Sequence, residues 1–318
     1  MYNSLSYKTK QLFFRAIKLS IVIGCSYFVY TKLVENNQLH FSDFWLNTVR
    51  NDVFLLKNIV FLLFFTIFNW FFEILKWKNV ASFIKKTSFL EATKQSVASL
   101  TASLITPNRV GEYGAKALYY QKSVRKQLVG LNIISNFYQM MMTIIFGIVG
   151  FTYFVYQHNV TIDFYRIFRL LLLAVFLMSA FFFGAKHFSY KGYSAQKARQ
   201  FIKKIPKLLN LKIALYSLLR YVIFSHQFYF LVLLFKVDIS YIDALSAITS
   251  VYFIASIVPM LSIFDVVLKG TVALWVFSFF AVNELTVLSI TTLMWLFNFV
   301  LPALIGSYFV LTFKRIEG

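Results

Sequence analysis

The chain has 318 residues, is 59% hydrophobic with 39 Phe, and carries a formal charge of +20. Apolar runs such as IVFLLFFTIFNWFFEIL (59–75) and VLSITTLMWLFNFVLPALIGSYFVLTF (287–313) exclude a soluble domain, because runs of about 20 residues match the hydrocarbon core of a bilayer. The excess of Lys and Arg would point to nucleic acid in a soluble protein; here it is the topology signal of membrane loops, and no nucleic-acid partner is expected.

Taken in chain order, the hydropathy predicts an all-α, polytopic membrane protein. Its six clear spans lie at 12–31, 54–75, 128–156, 167–184, 212–235 and 286–313. The first follows Lys8, Lys10, Arg15 and Lys18 and resembles a secretion signal, but no small-residue cleavage site follows it, so it is read as a retained helix. Cys25, the single cysteine, lies inside that span, which excludes an intrachain disulfide and a cysteine metal site. Two further apolar segments, 92–122 and 241–282, are interrupted by Pro and are either re-entrant hairpins or pairs of short spanning helices. The basic stretch 186–212 connects the halves. It is read first as a solvated loop that sets topology, and second as a surface helix for anionic membrane lipids.

Charge predicts the orientation. With the N-terminus inside, segments 1–18, 76–126 and 185–212 and the tail Lys314-Arg315 hold 24 of the 32 Lys and Arg residues. The expectation is therefore a bacterial inner-membrane protein with both termini cytoplasmic. It comprises a first half-repeat at 1–156, a connecting span and loop at 157–211, and the remainder of the second half at 212–318, with the second half-repeat spanning 167–313 in all. Each half places an interrupted segment after two spans and before a third. Three spans per half invert the second copy relative to the first, a plan found in transporters.

The interrupted segments carry a motif that occurs twice. Residues 102–118 read ASLITPNRVGEYGAKAL, and residues 255–274 read ASIVPMLSIFDVVLKGTVAL. In each, a Pro (Pro107, Pro259) is followed by an acid (Glu112, Asp265) and, one helical turn later, by a Lys (Lys116, Lys269). Pro107 removes a backbone donor and Gly111 permits close backbone approach, which suits a helix break and a new helix start that favours anions. Asn108 and Arg109 lie at that break, and the Arg109 guanidinium suits bidentate phosphate recognition. The plainer reading of Glu112 and Lys116 is an ordinary i,i+4 pair.

Within the spans, Arg220 is a candidate counter-ion of Glu112 or Asp265, or a headgroup contact. Asn136, Gln139, Gln227 and Asn298 are read as interhelical hydrogen-bonding residues, and His226 as a satisfied interior histidine. His40, His158 and His187 are scattered, so no metal site is expected. No ATP-binding loop, nucleophile elbow or dinucleotide fingerprint is present, so no cofactor is expected.

The stretch LITPNRVGEYGAKALYYQK resembles the proline-glycine-arginine-x-glycine-glutamate signature of the lysylphosphatidylglycerol synthase transmembrane-region family. That family is also described as flippase-like and includes the membrane half of the multiple peptide resistance factor. The resemblance covers the chain in span pattern, with motif identity at 106–120 and, more loosely, at 259–274. It implicates Pro107, Arg109, Gly111 and Glu112, then Pro259, Asp265, Lys269 and Gly270. Asn108 departs from the family's Gly, and Asp265 and Lys269 replace a glycine-rich stretch with an arginine-glutamate pair. No aminoacyl-transferase domain follows Lys314 here, so lysyl transfer is not implied. The resulting expectation is a lipid flippase or lipid-linked substrate transporter rather than an enzyme, with a phospholipid or lipid-linked substrate as partner. The alternatives are an integral-membrane enzyme acting on headgroups, such as a polyprenyl-phosphate glycosyltransferase, and a lipid-binding accessory subunit.

Overall fold

The computed structural model describes residues 19–20, 23, 27, 40–104, 106, 111–160, 200–257 and 265–313. The predicted spans 12–31, which holds Cys25, and 167–184 lie largely or wholly outside these residues, as do Pro107, Asn108, Arg109 and Pro259. Within them the chain is helical throughout: α1 (Phe41–Arg50), α2 (Leu56–Ser82), α3 (Phe89–Ser103), α4 (Gly111–Ala117), α5 (Lys122–Gln157), α6 (Lys207–Leu234), α7 (Tyr241–Ile257), α8 (Asp265–Ser278) and α9 (Glu284–Trp295). A π-helical turn at Leu296–Val300 joins α9 to α10 (Leu301–Thr312).

Four helices are long and apolar enough to cross a bilayer: α2, α5, α6 and the continuous segment Glu284–Thr312. They match four of the predicted spans but are longer at their ends. α2 continues to Ser82, α5 begins at Lys122 and α6 begins at Lys207. The interrupted segments resolve into short pieces. With 15 residues in α3 and 7 in α4, both are shorter than the roughly 20 residues of a full span. α7 and α8, of 17 and 14 residues, are likewise short.

Local sequence explains where the helices stop. α1, α5, α6 and α8 each end on a residue with positive φ (Asp52, Asn159, Lys236 and Ala281) followed by a Val. The Val N–H bonds back five residues, as in Val53 to Thr48 and Val282 to Phe277, which satisfies carbonyls the helix end leaves open and buries an apolar side chain there. α3 starts with a capping box. The Ser88 hydroxyl accepts from the Glu91 N–H at 3.2 Å, and the Glu91 carboxylate accepts from the Ser88 N–H at 2.7 Å.

The three most extensive helix contacts are α5 with α7, α2 with α6, and α3 with α10. Two depend on glycine. A Cβ on Gly306 of α10 would collide with the Val97 carbonyl and the Thr101 hydroxyl of α3, and one on Gly150 of α5 would collide with Thr249 of α7. α2 shows the pattern of a helix in lipid. Val60, Phe61, Phe64 and Ile67 are exposed, while Thr66, Asn69, Glu73 and Lys76 are buried. Lys76, which the charge count places in an inside loop, is in fact an interior residue 1% exposed, because α2 extends past the predicted end of its span.

Two outcomes follow for stability. Gly306→Val should lower the thermal midpoint in detergent and broaden the size-exclusion peak, whereas Gly114→Ala, which meets no atom within 4 Å, should leave both unchanged or improved. Hydrogen bonds from the Ser88 backbone and side chain hold the Glu91 carboxyl below its ordinary value. This contribution is present at neutral pH and is lost as pH falls through the folded-state value. Ser88→Ala removes the hydroxyl that caps the Glu91 N–H but keeps the backbone donor to the carboxylate, so it should cost about 0.5–2 kcal/mol, whereas Glu91→Gln should weaken the acid-side pH dependence of the thermal midpoint.

Candidate functional site

The polar face of α2 is a single stripe. Thr66, Asn69, Glu73 and Lys76 recur every three or four residues and meet α6 across the seam. Apolar cores lie on both sides of this band, one around Leu62, Phe228 and Leu231 and the other around Ile74, Trp77 and Ile213.

Glu73 organises the band. Its Oε2 contacts Arg220 of α6 at 2.5 Å and Lys76 at 2.9 Å, and its Oε1 contacts Lys116 of α4 at 3.1 Å. Lys116 also pairs with Glu112 at 2.7 Å, so the i,i+4 pair of the motif forms as expected and is part of a larger cluster. The Lys116 ammonium lies 4.9 Å from the centroid of the Trp77 ring. That ring is fixed by its Nε1 donating to Gln95 at 2.6 Å, and Gln95 accepts also from the Tyr120 hydroxyl at 2.9 Å. Charged groups this well removed from water are stable only when paired and hydrogen-bonded.

Arg220 pairs with Glu73, an acid that the sequence reading did not single out. Its Nε also donates to Asn69 at 3.1 Å, and Nη1 donates to Gln139 at 3.3 Å. From Asn69 an amide chain runs on. Asn69 donates to Asn298 at 2.9 Å, Asn298 donates to Gln227 at 2.8 Å, and Gln227 donates to Thr66 at 3.0 Å. Asn298 sits in the π turn and its carbonyl accepts from the Trp70 indole at 3.2 Å, so the irregular turn ties the α9–α10 segment to α2. The interhelical role expected of Gln139, Gln227 and Asn298 is therefore what the structure contains. His226 is satisfied by the Val222 carbonyl at 2.8 Å and the Tyr241 hydroxyl at 2.9 Å, on a partly exposed face rather than in the interior.

A cavity of about 700 Å³ opens beside this network. Glu73, Glu112, Arg220 and Lys269 all line it, which brings one acid from the first motif and the Lys of the second to a common space. Gly270 is not among the residues lining the cavity, and a Cβ placed on it would meet Leu288 at an ordinary 3.5 Å. The backbone of Asp265 starts α8. At the first break, Thr106 spans the gap between helices, its hydroxyl donating to Ser103 at 2.7 Å and accepting from the Gly111 N–H at 2.9 Å. The leading N–H of α4 is therefore occupied by Thr106, and the expected anion site at this helix start loses that donor.

The five charged groups around Glu73 comprise three cations (Lys76, Lys116, Arg220) and two carboxylates (Glu73, Glu112), a formal excess of one positive charge. On the cavity wall itself, the charged groups among the described residues are two acids, Glu73 and Glu112, and two cations, Arg220 and Lys269. Among the described residues no three His, Cys, Asp or Glu side chains come together as a metal-binding group. No family model, curated protein or solved structure matches this chain.

Glu73 and Asn69 are absent from the sequence-predicted site because 59–75 reads as one apolar run. The signal that marks them is the spacing of Thr66, Asn69, Glu73 and Lys76 on a single helical face. Glu73→Ala leaves the buried Lys76 and Lys116 and the part-buried Arg220 short of a partner and should destabilise the protein by about 3–5 kcal/mol. In a thermal-unfolding cycle with Arg220→Gln, Glu73→Gln should show a coupling of about 0.5–3 kcal/mol; simple additivity would contradict the ion-pair network.

Proposed function

We propose that this chain is a lipid flippase or lipid-linked substrate transporter of the bacterial inner membrane, of the flippase-like family that residues 106–120 resemble. The observation that carries this reading is the shared cavity. α2 and α4 supply Glu73 and Glu112, and α6 and α8 supply Arg220 and Lys269. Ionisable groups inside a helical membrane protein are costly and concentrate where a polar substrate must pass.

The packing favours two inverted halves. α2 pairs with its counterpart α6, the first short helix α3 packs on the last helix α10 of the other half, and α7 packs reciprocally on α5. Each of these crossed contacts has a glycine on the long helix, Gly306 or Gly150. In such a plan the halves rock about a site at their boundary, with both termini on the cytoplasmic side.

The charge network supplies the binding step. Without substrate, Arg220 is held by Glu73. A headgroup phosphate entering the cavity competes for the guanidinium and forms charge-assisted hydrogen bonds to it. Glu73 keeps Lys76 and Lys116 when Arg220 leaves, so no carboxylate is stranded. Releasing Arg220 loosens the α2–α6 seam, which couples headgroup binding to movement between halves. The acyl chains remain in lipid.

Reconstituted protein should accelerate exchange of labelled phospholipid or polyprenyl-phosphate lipid between leaflets. Arg220→Ala and Arg109→Ala should slow it about 10- to 100-fold, the loss of a charged hydrogen bond. Exchange no faster than in empty liposomes across these lipid classes would overturn the transport reading, and appearance of a new lipid product on adding glycosyl donors would favour a headgroup-modifying enzyme.

A further inference from the structure

The amide network leaves one member out. Asn136 of α5 lines the cavity and is half-buried, yet its side chain makes no hydrogen bond among the described residues, so its expected interhelical role is not what the structure contains. Gln139, three residues on and therefore on the same helical face, has both ends engaged. Its Oε1 accepts from Arg220 Nη1 at 3.3 Å and its Nε2 donates to the Ser217 carbonyl at 3.4 Å. Side chains at this spacing have Cβ atoms about 5–6 Å apart, which places the Asn136 amide one helical turn from the amide that holds the guanidinium. Arg220 is not saturated either. Its Nε is bonded to Asn69 and its Nη1 to Glu73 and Gln139, while Nη2 donates to none of the described residues and is not sealed off, the side chain being 19% exposed. A guanidinium carries five N–H donors, so this edge is open with the Glu73 pair intact.

Two open donors so close together select the ligand. A guanidinium only donates, and an amide donates through its nitrogen, so a ligand that serves both brings adjacent acceptors with negative charge. The oxygens of a phosphate ester do this. An ammonium ligand finds no open carboxylate, because both acids on the wall are held by lysines that do not line it, Glu73 by Lys76 at 2.9 Å and Glu112 by Lys116 at 2.7 Å. A neutral ligand pairs with the amide but leaves the guanidinium edge without a counter-charge. The volume of about 700 Å³ falls in the range of about 300–1,000 Å³ that holds whole small molecules, so the rest of the ester fits beside its phosphate.

We infer that Asn136 and the open edge of Arg220 form a two-point oxyanion site, which takes the phosphate of a phosphate ester while Arg220 is still paired with Glu73. It is the docking contact that precedes the exchange of partners described above. That the ester is a lipid headgroup rests on the transport reading; the two-point site does not.

Full-length protein in detergent is titrated calorimetrically with glycerol 1-phosphate, with a short-chain phosphatidylglycerol and with glycerol. Both phosphate esters should bind and glycerol should not. Tighter binding of the short-chain lipid identifies a lipid headgroup as the source of the ester, and equal affinities identify a free phosphate ester; either supports the site. Asn136→Leu should weaken ester binding about 10-fold, the loss of one hydrogen bond to a charged acceptor. It should leave the thermal midpoint of the ligand-free protein unchanged or higher, since no hydrogen bond to another residue is lost. Asn136→Asp is nearly isosteric and replaces the donor with a like-charged acceptor, so it should abolish binding at neutral to mildly alkaline pH. It decides the matter where the leucine variant folds poorly. No binding of either ester to the wild type, or wild-type affinity in Asn136→Asp, overturns the inference. Leaflet exchange in proteoliposomes separates the two readings. Ester binding that depends on Asn136 without exchange of lipid removes the transport reading and keeps this one, and exchange that Asn136→Asp leaves unchanged does the reverse.

Discussion

A carboxylate inside a lipid-embedded helix pair must be neutralised where it stands, and the way Glu73 meets that requirement organises the rest of the described structure. One of its oxygens faces Lys116 and the other faces Arg220 and Lys76. To place those cations, α4 must dock beside α2, and α6 must cross α2 at one register. The secondary partners then follow. Asn69 and Gln139 hold the guanidinium, Glu112 takes the second side of Lys116, and Gln95 fixes the Trp77 ring near the ammonium. The same low dielectric that makes these pairs strong makes any missing member costly, so the band behaves as a unit.

That band is also why the chain needs its two breaks. An uninterrupted apolar helix would carry lipid-like surface past this level and could not bring Lys116 to Glu73 or Lys269 to the cavity. At the first break Thr106 bonds the Ser103 carbonyl at the end of α3 and accepts from the Gly111 N–H at the start of α4. Glycines on α5 and α10 allow α7 and α3 to approach closely enough to seal the structure around the polar region. Close packing replaces the hydrophobic effect here, since lipid tails offer no less apolar an environment than another helix.

Much of this architecture was legible in the sequence. The spans over 54–75, 128–156, 212–235 and 286–313 correspond to helices of spanning length, since apolar length is a local property. Glu112, Arg220 and Lys269 also stood out, because a charge in an apolar segment is conspicuous, and all three line the cavity. Glu73 did not, although it holds the network together. Its four-residue neighbourhood is Phe-rich, and only its alignment with Thr66, Asn69 and Lys76 on one face distinguishes it. Lys76 was assigned to a loop because a hydropathy run ends before the helix does.

The sequence by itself determined that the chain is a helical membrane protein, where its longest helices run, and that its apolar segments break near Pro107 and Pro259. These follow from bilayer thickness, backbone hydrogen bonding and the loss of a donor at proline. Only the tertiary structure decided which charges meet. Arg220 lies 147 positions from Glu73 and forms its ion pair because α6 packs along the polar stripe of α2. Lys116 turns toward Glu73 as well as Glu112 because α4 docks beside α2, and no spacing within either segment encodes that distance. Ion pairs and cavities are properties of helix juxtaposition, and juxtaposition is set by the packing of whole faces.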